Sequence, residues 1–467
     1  MFSKSKKIAF TDPQSYLVRL LLVFYVVGLA SVCSALEIKR HASTWTITGN
    51  PTSGTYANGD PWVVGPVAIT NITPSSTVTG SGRTINGTMI NPTAAHYPAQ
   101  GLDSKMGKGA GLGWNAALNV GRPGGSALSV INPLVVAVGS SVCSSVGHPN
   151  DLERPTLTDF AVLTVVASPP AAGSFRPPYC GTDKTHHWNT SQLNYEVLQN
   201  LPPVKGATRP SALVNQFDRT WVEISTSQPG YTGFRASNNQ SHYGRDMDNQ
   251  LGGALLHLHL NFSKAEKEPL FIRLVQYGLD IYGAAASDPS IYWDDQAGIV
   301  NGQKAPLVLA ALALNDAKLL TLAADTPTRF SIDRQIWYVT EDDVGRQLDT
   351  VTGKPAPSRF YEKADVGMAE WGQKHTNAPR WDNPDWGAVY RDVVYNGGYG
   401  TALFAHLTPG MKAAWNHNAY FDYFDRVRDE TKNTPGTIFV NAMWAAYRNG
   451  GHEFPARPQG LRTIPKP

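Results

Sequence analysis

Residues 251–260 read LGGALLHLHL, and this stretch decides how the second half of the chain is interpreted. Its i, i+3, i+4 and i+7 positions are Leu251, Ala254, Leu255 and Leu258. Apolar residues at this spacing are typical of the buried face of an α-helix. Helical periodicity continues along the chain, so we expect a mainly helical structure beyond residue 193. The predicted helices begin near Asp246, Pro269, Pro306 and Pro409, and the last one covers residues 438–448.

The first part of the chain has a different period. Short apolar and β-branched runs at residues 45–48, 134–138 and 160–167 are separated by clusters of Gly, Pro, Asn and Ser. Runs of this length between turn signals favour a β-sandwich. The sequence therefore predicts an α+β fold class, with the strands first and the helices second.

We expect three segments in the chain. They are a signal peptide over residues 1–35, a β-sandwich-like domain over residues 36–180 and a helical domain over residues 181–467. Long, polar and aromatic-rich loops join the predicted helices, which favours paired helices in a ring, an (α/α)-toroid-like arrangement. An ordinary bundle of crossed helices is the alternative.

The first residues carry the pattern of an export signal. Three lysines within the first seven residues precede the apolar run LLLVFYVVGLA at residues 20–30. Cys33 and Ala35 then fit the small-x-small pattern of a cleavage site. The apolar run is short for a transmembrane helix, although an uncleaved anchor is the alternative. We expect a protein secreted to the periplasm, the cell surface or the medium, with no stable membrane insertion after cleavage.

Removal of residues 1–35 changes the charge of the chain. It leaves 36 basic and 36 acidic residues, so the net charge of +3 disappears. A neutral protein has no long-range field that attracts a polyanion, which argues against a nucleic-acid partner. Cys143 and Cys180 are then the remaining cysteines. They predict one disulfide in an oxidising compartment, and two buried free thiols are the alternative.

Directly before the first predicted helix, residues 238–246 read NNQSHYGRD. Amides and a guanidinium can hold a substrate carboxylate, while an imidazole or a phenol can move a proton. The predicted catalytic residues are Asn239, His242, Tyr243 and Arg245, and Asn238 is a predicted substrate contact. The alternative is a polar loop that caps the following helix, with Asp246 near the helix N-terminus.

Two further segments and one tryptophan are candidates for binding the substrate. Gln303 and Lys304 precede a helix that is apolar all round, and a lysine at the positive end of a helix favours a neighbouring anion. We therefore expect a ligand carboxylate or sulfate there, with a solvated lysine as the alternative. Trp371 and His375 form a candidate floor for sugar stacking, for which a core tryptophan is the alternative. Trp62 could join a cleft between the two domains.

Several site classes have no support in the sequence. It lacks a Gly-x-Ser-x-Gly elbow, a phosphate-binding Walker loop and a dinucleotide fingerprint. His257 and His259 stand two residues apart on a predicted helix, so their rings diverge, and the adjacent His186 and His187 are no better placed. We expect neither a metal site nor a cofactor.

A signal peptide, a β-rich half and a ring-like helical half together resemble secreted polysaccharide lyases of the (α/α)-toroid type, although here the β-rich half comes first. Alginate-cleaving lyases of this type use an Asn-Asn-His run with a separate Tyr and Arg. In this chain Asn238 and Asn239 are followed by His242, with Tyr243 and Arg245 beside it. The resemblance implies β-elimination on a uronate polymer.

The leading hypothesis is a secreted, monomeric polysaccharide lyase, a carbon–oxygen lyase that acts on an anionic, alginate-like polysaccharide. The first alternative is a glycoside hydrolase with paired carboxylates, which are Asp246 and one of Glu341, Asp342 or Asp343. The second alternative is a non-catalytic glycan-binding protein of the cell surface, which the aromatic content supports.

Overall fold

The computed structural model describes residues 34–95, 98–105, 113–123, 127–150, 157–221, 224–225, 235–241, 243–293, 303–325, 329–344, 361–371, 391–430 and 436–448. Within these residues, strands dominate as far as residue 166 and helices dominate after residue 213. The predicted α+β class is therefore confirmed.

The strands form two main sheets. In chain order they are β1 (Ala35–Arg40), β2 (Ser43–Thr48), β3 (Ser53–Thr55), β4 (Pro61–Val64), β5 (Val67–Thr73), β6 (Thr77–Val78), β7 (Thr84–Ile85), β8 (Thr88–Ile90), β9 (Leu134–Val136), β10 (Ser140–Gly147), β11 (Leu157–Val166), β12 (Ile336–Tyr338) and β13 (Ala369–Trp371). The first sheet has the order β1-β2-β5-β9 and is antiparallel throughout. The second has the order β3-β4-β11-β10-β8, in which β4 and β11 are parallel.

The two sheets face each other across an apolar layer. Successive side chains of a strand point to opposite faces, so the buried Trp45 and Ile47 of β2 share one face. They belong to the same buried cluster as Leu163 and Val165 of β11. The Trp45 indole N–H also donates to the Ser144 hydroxyl of β10 at 3.0 Å, which ties the sheets together.

The second sheet is buried on both faces, because its other face packs against the helices. Cys143 on β10 and Phe160 and Val162 on β11 lie in the same hydrophobic core as Leu255 and Leu274 of the helical part. The near-continuous apolar sequence of β11 follows from this double burial. The strand-rich and helix-rich parts of the chain therefore share one core.

The helices follow in chain order as α1 (Val214–Phe217), α2 (Gly244–His257), α3 (Lys264–Ser287), α4 (Lys304–Leu314), α5 (Ala317–Ala323), α6 (Ser331–Gln335), α7 (Arg391–Leu407), α8 (Met411–Trp415), α9 (Asn418–Glu430) and α10 (Ile438–Tyr447). The predicted starts near Asp246 and Pro306 are confirmed to within two residues, and α10 is the predicted last helix.

Two of the predicted helices need correction. The first turn of α3 begins at Lys264 rather than at Pro269, because Ser263 and Glu266 form a capping box. The start predicted near Pro409 is confirmed to within two residues, because α8 begins at Met411, but this helix ends at Trp415. Positive φ angles at Gly410 (80°) and Asn416 (59°) separate α7, α8 and α9. Strands β12 and β13, which pair antiparallel, were also not predicted from the helical period.

A buried arginine joins the sheets to the helices. The Arg176 guanidinium, in the connector after β11, donates to Asp60 at 2.6 Å and to Asp280 of α3 at 2.5 Å. All three side chains are almost fully buried. The Gln276 side chain also pairs with both the backbone N–H and the carbonyl oxygen of Arg176, each at 3.0 Å.

The two carboxylates of this network differ in their acidity. Burial alone would raise the pKa of Asp60, but the Arg40 and Arg176 guanidinium groups outweigh it and hold that pKa below its ordinary value. Burial raises the pKa of Asp280 to about 6, since the lowering effect of Arg176, which Asp280 shares with Asp60, does not outweigh it. Asp60 is therefore the firmly ionised partner.

The predicted signal peptide lies almost wholly outside the described residues, which begin at Ser34. Within the part of the chain that is described, no helix combines the length and the apolar character needed to cross a bilayer. Cys143 and Cys180 are both buried and unbridged. Burial raises the pKa of the Cys143 thiol to about 12, and it raises that of Cys180 with Cys143 contributing. The disulfide stays a prediction.

Helices α2 and α7 approach each other closely at a glycine pair. A Cβ atom on Gly252 would lie 2.7 Å from the backbone nitrogen of Thr401 and 2.9 Å from the carbonyl carbon of Gly400. The next residue, Gly253, has nothing within 4 Å of the same position. Gly252 is therefore tightly packed against α7, whereas the adjacent Gly253 faces open space.

We expect the same substitution at these two glycines to have opposite effects on stability. Gly253→Ala should raise the free energy of unfolding by about 0.5–1 kcal/mol, because alanine favours the helix and restricts the unfolded chain. Gly252→Ala should lower it by about 1–3 kcal/mol, because the methyl group separates α2 from α7. Urea unfolding of both variants measures the difference, and equal effects would contradict this packing.

Candidate functional site

The polar segment at residues 238–246 lies where the second sheet meets the helices. The backbone N–H groups of Ser237 and Asn238 donate to the carbonyl oxygens of Leu157 and Thr158, at the start of β11. The segment then enters α2 at Gly244, with Tyr243 as the N-cap residue. His242, the predicted base, lies outside the described residues, and Asn238 is exposed.

Asn239 is a buried structural residue in this position. Its amide donates to the Gln216 carbonyl oxygen at 3.0 Å, and Gln240 donates in the same way to Thr220 at 3.3 Å. The N–H groups that were expected to face a substrate carboxylate are therefore directed at the protein backbone. The geometry assigns Asn239 to holding the segment at residues 216–220 rather than to neutralising a substrate.

Tyr243 and Arg245 can both reach a ligand. Each is partly exposed, and the Arg245 guanidinium carbon lies 5.8 Å from the centre of the Tyr243 ring. Arg245 also donates to the Asp246 carboxylate at 2.7 Å, in an ion pair that is open to solvent. A phenol, a guanidinium and the positive end of a fourteen-residue helix thus stand together.

A groove of about 590 Å³ runs beside this segment, between α2, α10 and the turn before α1. Its lining residues are Gly206, Thr208, Leu213, Gln216, Asn249, Gln250, Gly253, Ala254, His257, Thr437, Ile438 and Phe439. Gln250 connects the groove to the polar segment, because its side-chain oxygen accepts from the Ser241 N–H at 3.1 Å and from the Ser241 hydroxyl at 2.7 Å. The volume is typical of a ligand pocket.

His257 forms part of the groove wall as a neutral imidazole. Its Nδ1 atom lies 2.6 Å from the Gly253 carbonyl oxygen, so it is the protonated nitrogen, and Nε2 accepts from the Thr208 N–H at 3.1 Å. Burial lowers the pKa of His257. Its ring stacks on Phe439 with centroids 3.9 Å apart. Both nitrogens are occupied, so His257 shapes the groove and is not placed to move a proton.

Lys304 is fully buried and has its anion within the chain. Its ammonium group donates to the Asp333 carboxylate and, at 2.7 Å, to the Trp415 carbonyl oxygen. Burial lowers the pKa of Lys304, and Asp333 opposes this effect. The anion expected beside Lys304 is therefore Asp333 rather than a ligand. Gln303, also buried, is the N-cap residue of α4.

The two predicted tryptophans are core residues. Trp371 is only 3% exposed and its indole N–H donates to Gln335 at 3.2 Å, so no face is open for sugar stacking. Trp62 of β4 is buried with Tyr56 and Val166, and its ring lies against Gly54. His375 lies outside the described residues.

Lys304 and Trp371 form a second polar centre around α6, since their partners Asp333 and Gln335 both belong to that helix. Asp248 on α2 and Asp333 on α6 both act on the same residue, Tyr420. Burial raises the pKa of the Tyr420 phenol, and both Asp248 and Asp333 add to that rise. The Asp248 carboxyl accepts from the Thr401 hydroxyl at 2.7 Å.

Sequence reasoning missed the groove residues Gln216, Asn249, Gln250 and Phe439, which come from three distant segments. The available signal was the Gly252–Gly253 pair inside a helical pattern, because an interior glycine often marks a close approach or an open surface. The helical spacing also places Gln250, Gly253 and His257 on one face of α2.

Within the described part of the chain, no three or more His, Cys, Asp or Glu side chains stand close enough to hold a metal ion. The chain matches no protein-family model, no curated protein and no solved structure. Only the geometry of this site therefore bears on the function of the protein.

The buried Asp248 makes stability depend on pH. Burial raises its pKa from the ordinary value near 3.8 to about 7, against the smaller effect of the Thr401 hydroxyl. Between these two pKa values, Asp248 is protonated in the folded chain and ionised in the unfolded chain. The free energy of unfolding should therefore fall as pH rises through this window, by at most about 1.4 kcal/mol per pH unit.

Asp248→Asn keeps an acceptor for Thr401 and removes the titration. We expect this variant to be more stable than the parent protein near neutral pH and to lose the extra pH dependence. Urea unfolding in mildly acidic and mildly alkaline buffer measures both effects. Asp246→Asn, at a partly exposed position of the same helix, is the control. Parallel pH profiles for Asp248→Asn and the parent would contradict a titrating Asp248.

Proposed function

We propose that the protein is a secreted polysaccharide lyase that cleaves an anionic, alginate-like uronate polymer by β-elimination. The observation that carries this proposal is the pairing of Tyr243 with Arg245. Both are partly exposed at the N-terminus of α2, and the hydrogen bonds from Ser241 to Gln250 link this segment to the groove. A phenol beside a guanidinium supplies a proton-transfer group next to a carboxylate-binding group.

The chemistry assigns a role to each residue. The C5 proton of a uronate becomes acidic once its C6 carboxylate is neutralised, and Arg245 together with the positive end of α2 supplies that charge. Tyr243 or His242 removes the proton, the electron pair forms the C4–C5 double bond, and the C4–O bond breaks. The leaving glycosidic oxygen then takes a proton from a tyrosine hydroxyl or from water.

We also propose the finer architecture that accompanies this activity, a β-sandwich followed by an (α/α)-toroid. Support for the sandwich comes from the apolar cluster shared by the two sheets. Support for the toroid comes from the helices that pack in pairs, which include α2 with α7 and α3 with α4. The protein would act as a monomer outside the cytoplasm, with a polysaccharide as its partner.

The test is the ultraviolet absorbance of the unsaturated product, measured with alginate, glucuronan, ulvan and glycosaminoglycans. We expect His242→Ala and Tyr243→Phe each to lower the rate by about two orders of magnitude or more with the fold intact. Arg245→Ala should lower turnover because the substrate carboxylate loses its cation. Tyr195→Phe and Arg122→Ala, at partly exposed positions away from the segment, should leave the rate unchanged.

Other outcomes select the other functions. Reducing ends without new absorbance, lost in Asp246→Asn, would select a glycoside hydrolase. Binding of an intact polymer with no change in its size would select a glycan-binding protein. Near-normal elimination by all three site variants would remove residues 242–245 from the mechanism.

A further inference from the structure

The groove beside α2 has no charged side chain among its lining residues. A carboxylate in the groove would have no cationic lining side chain to pair with. The groove therefore suits an uncharged ligand, in contrast to the N-terminus of α2.

The polar side chains of the groove can form hydrogen bonds with the hydroxyl groups of a sugar. The side-chain amides of Gln216 and Asn249 line the groove and make no hydrogen bond to any described residue. Each amide offers both donors and an acceptor, which is the pattern that a sugar hydroxyl can satisfy from either side. The exposed Thr208 adds a hydroxyl group at the other wall.

The apolar side chains of the groove can pack against the C–H face of a sugar ring. Leu213 and Ile438 line the groove, and Ile438 is 66% exposed at its edge. Aliphatic surfaces of this kind pack against pyranose C–H groups, while neighbouring amides fix the orientation.

The groove lies along α2 from the Tyr243 site. Gln250, Gly253 and His257 recur at helical spacing on one face of α2, while Tyr243 is the extended N-cap residue directly before the helix, and Arg245 is one turn before Asn249. Gly244 and Gly253 are nine residues apart in this helix, a rise of about 14 Å. That distance is bridged by several linked sugars and not by one.

We propose that the groove is a subsite for an uncharged sugar of the polymer, so that the substrate is a heteropolysaccharide in which uronates have neutral sugar neighbours. This inference rests on the proposed lyase function for the cleavage step. Binding of a neutral sugar in the groove can be measured without cleavage, which keeps the two claims separable.

Gly253→Phe is the test variant, because a Cβ atom at this groove-lining position has nothing within 4 Å, so a large side chain there occupies the groove. Gly253→Ala is the matched control. The two polymers are glucuronan, which contains only glucuronate, and hyaluronan, in which glucuronate alternates with an uncharged N-acetylated sugar. We expect Gly253→Phe to raise KM for hyaluronan by about tenfold or more, with kcat little changed and glucuronan unaffected.

Binding supplies the second readout. Saturation-transfer NMR with neutral disaccharides of N-acetylglucosamine, galactose, xylose and mannose should detect at least one that binds the parent and Gly253→Ala but not Gly253→Phe. That result supports the subsite even if no polymer is cleaved, in which case only the lyase proposal fails. The subsite is overturned if none of the four binds, or if Gly253→Phe cleaves and binds as the parent does. A parent that prefers glucuronan to hyaluronan also overturns it.

Discussion

The ion pairs of Arg176 are the constraint on which the arrangement of the molecule depends. A buried guanidinium that lost either Asp60 or Asp280 would leave an uncompensated charge in the core, which typically costs several kcal/mol. Asp60 also accepts from Arg40 at 2.9 Å, and Arg40 donates to the Asp218 carbonyl oxygen at 2.7 Å. Through Asp60 and Arg40, the buried Arg176 thus fixes the position of the chain around residue 218.

That segment in turn holds the candidate site. Arg273 of α3 binds the Asp218 carboxylate at 2.9 Å, so the segment is fixed from the sheet side and from the helix side. Gln216, two residues earlier, lines the groove and accepts the amide of Asn239 through its carbonyl oxygen. The ion pairs of Arg176, Arg40 and Arg273 therefore work as internal supports, and the groove that they position has no charged lining residue.

The sequence predicted the fold class and several helix positions because local patterns encode them. Leu251 to Leu258 carry a helical period, and Ile438 begins a helix behind a threonine cap. Local sequence patterns could not identify the partners in contacts between residues that are far apart in the chain. Lys304 was predicted to bind the anion of a ligand, whereas its anion is the carboxylate of Asp333, twenty-nine residues away along the chain. Likewise, nothing local to Asn239 shows that its amide is taken by the Gln216 backbone. The groove was hidden for the same reason, since its walls meet only after folding.

The three walls of the groove have a consequence for when the groove can form during folding. Residues 206–216, 249–257 and 437–439 are separated by long stretches of chain, and the last wall belongs to the final described helix. The groove therefore cannot form during synthesis until the chain has been released from the ribosome beyond residue 439. If the protein is exported unfolded, as the proposed secretion implies, the groove forms only after export.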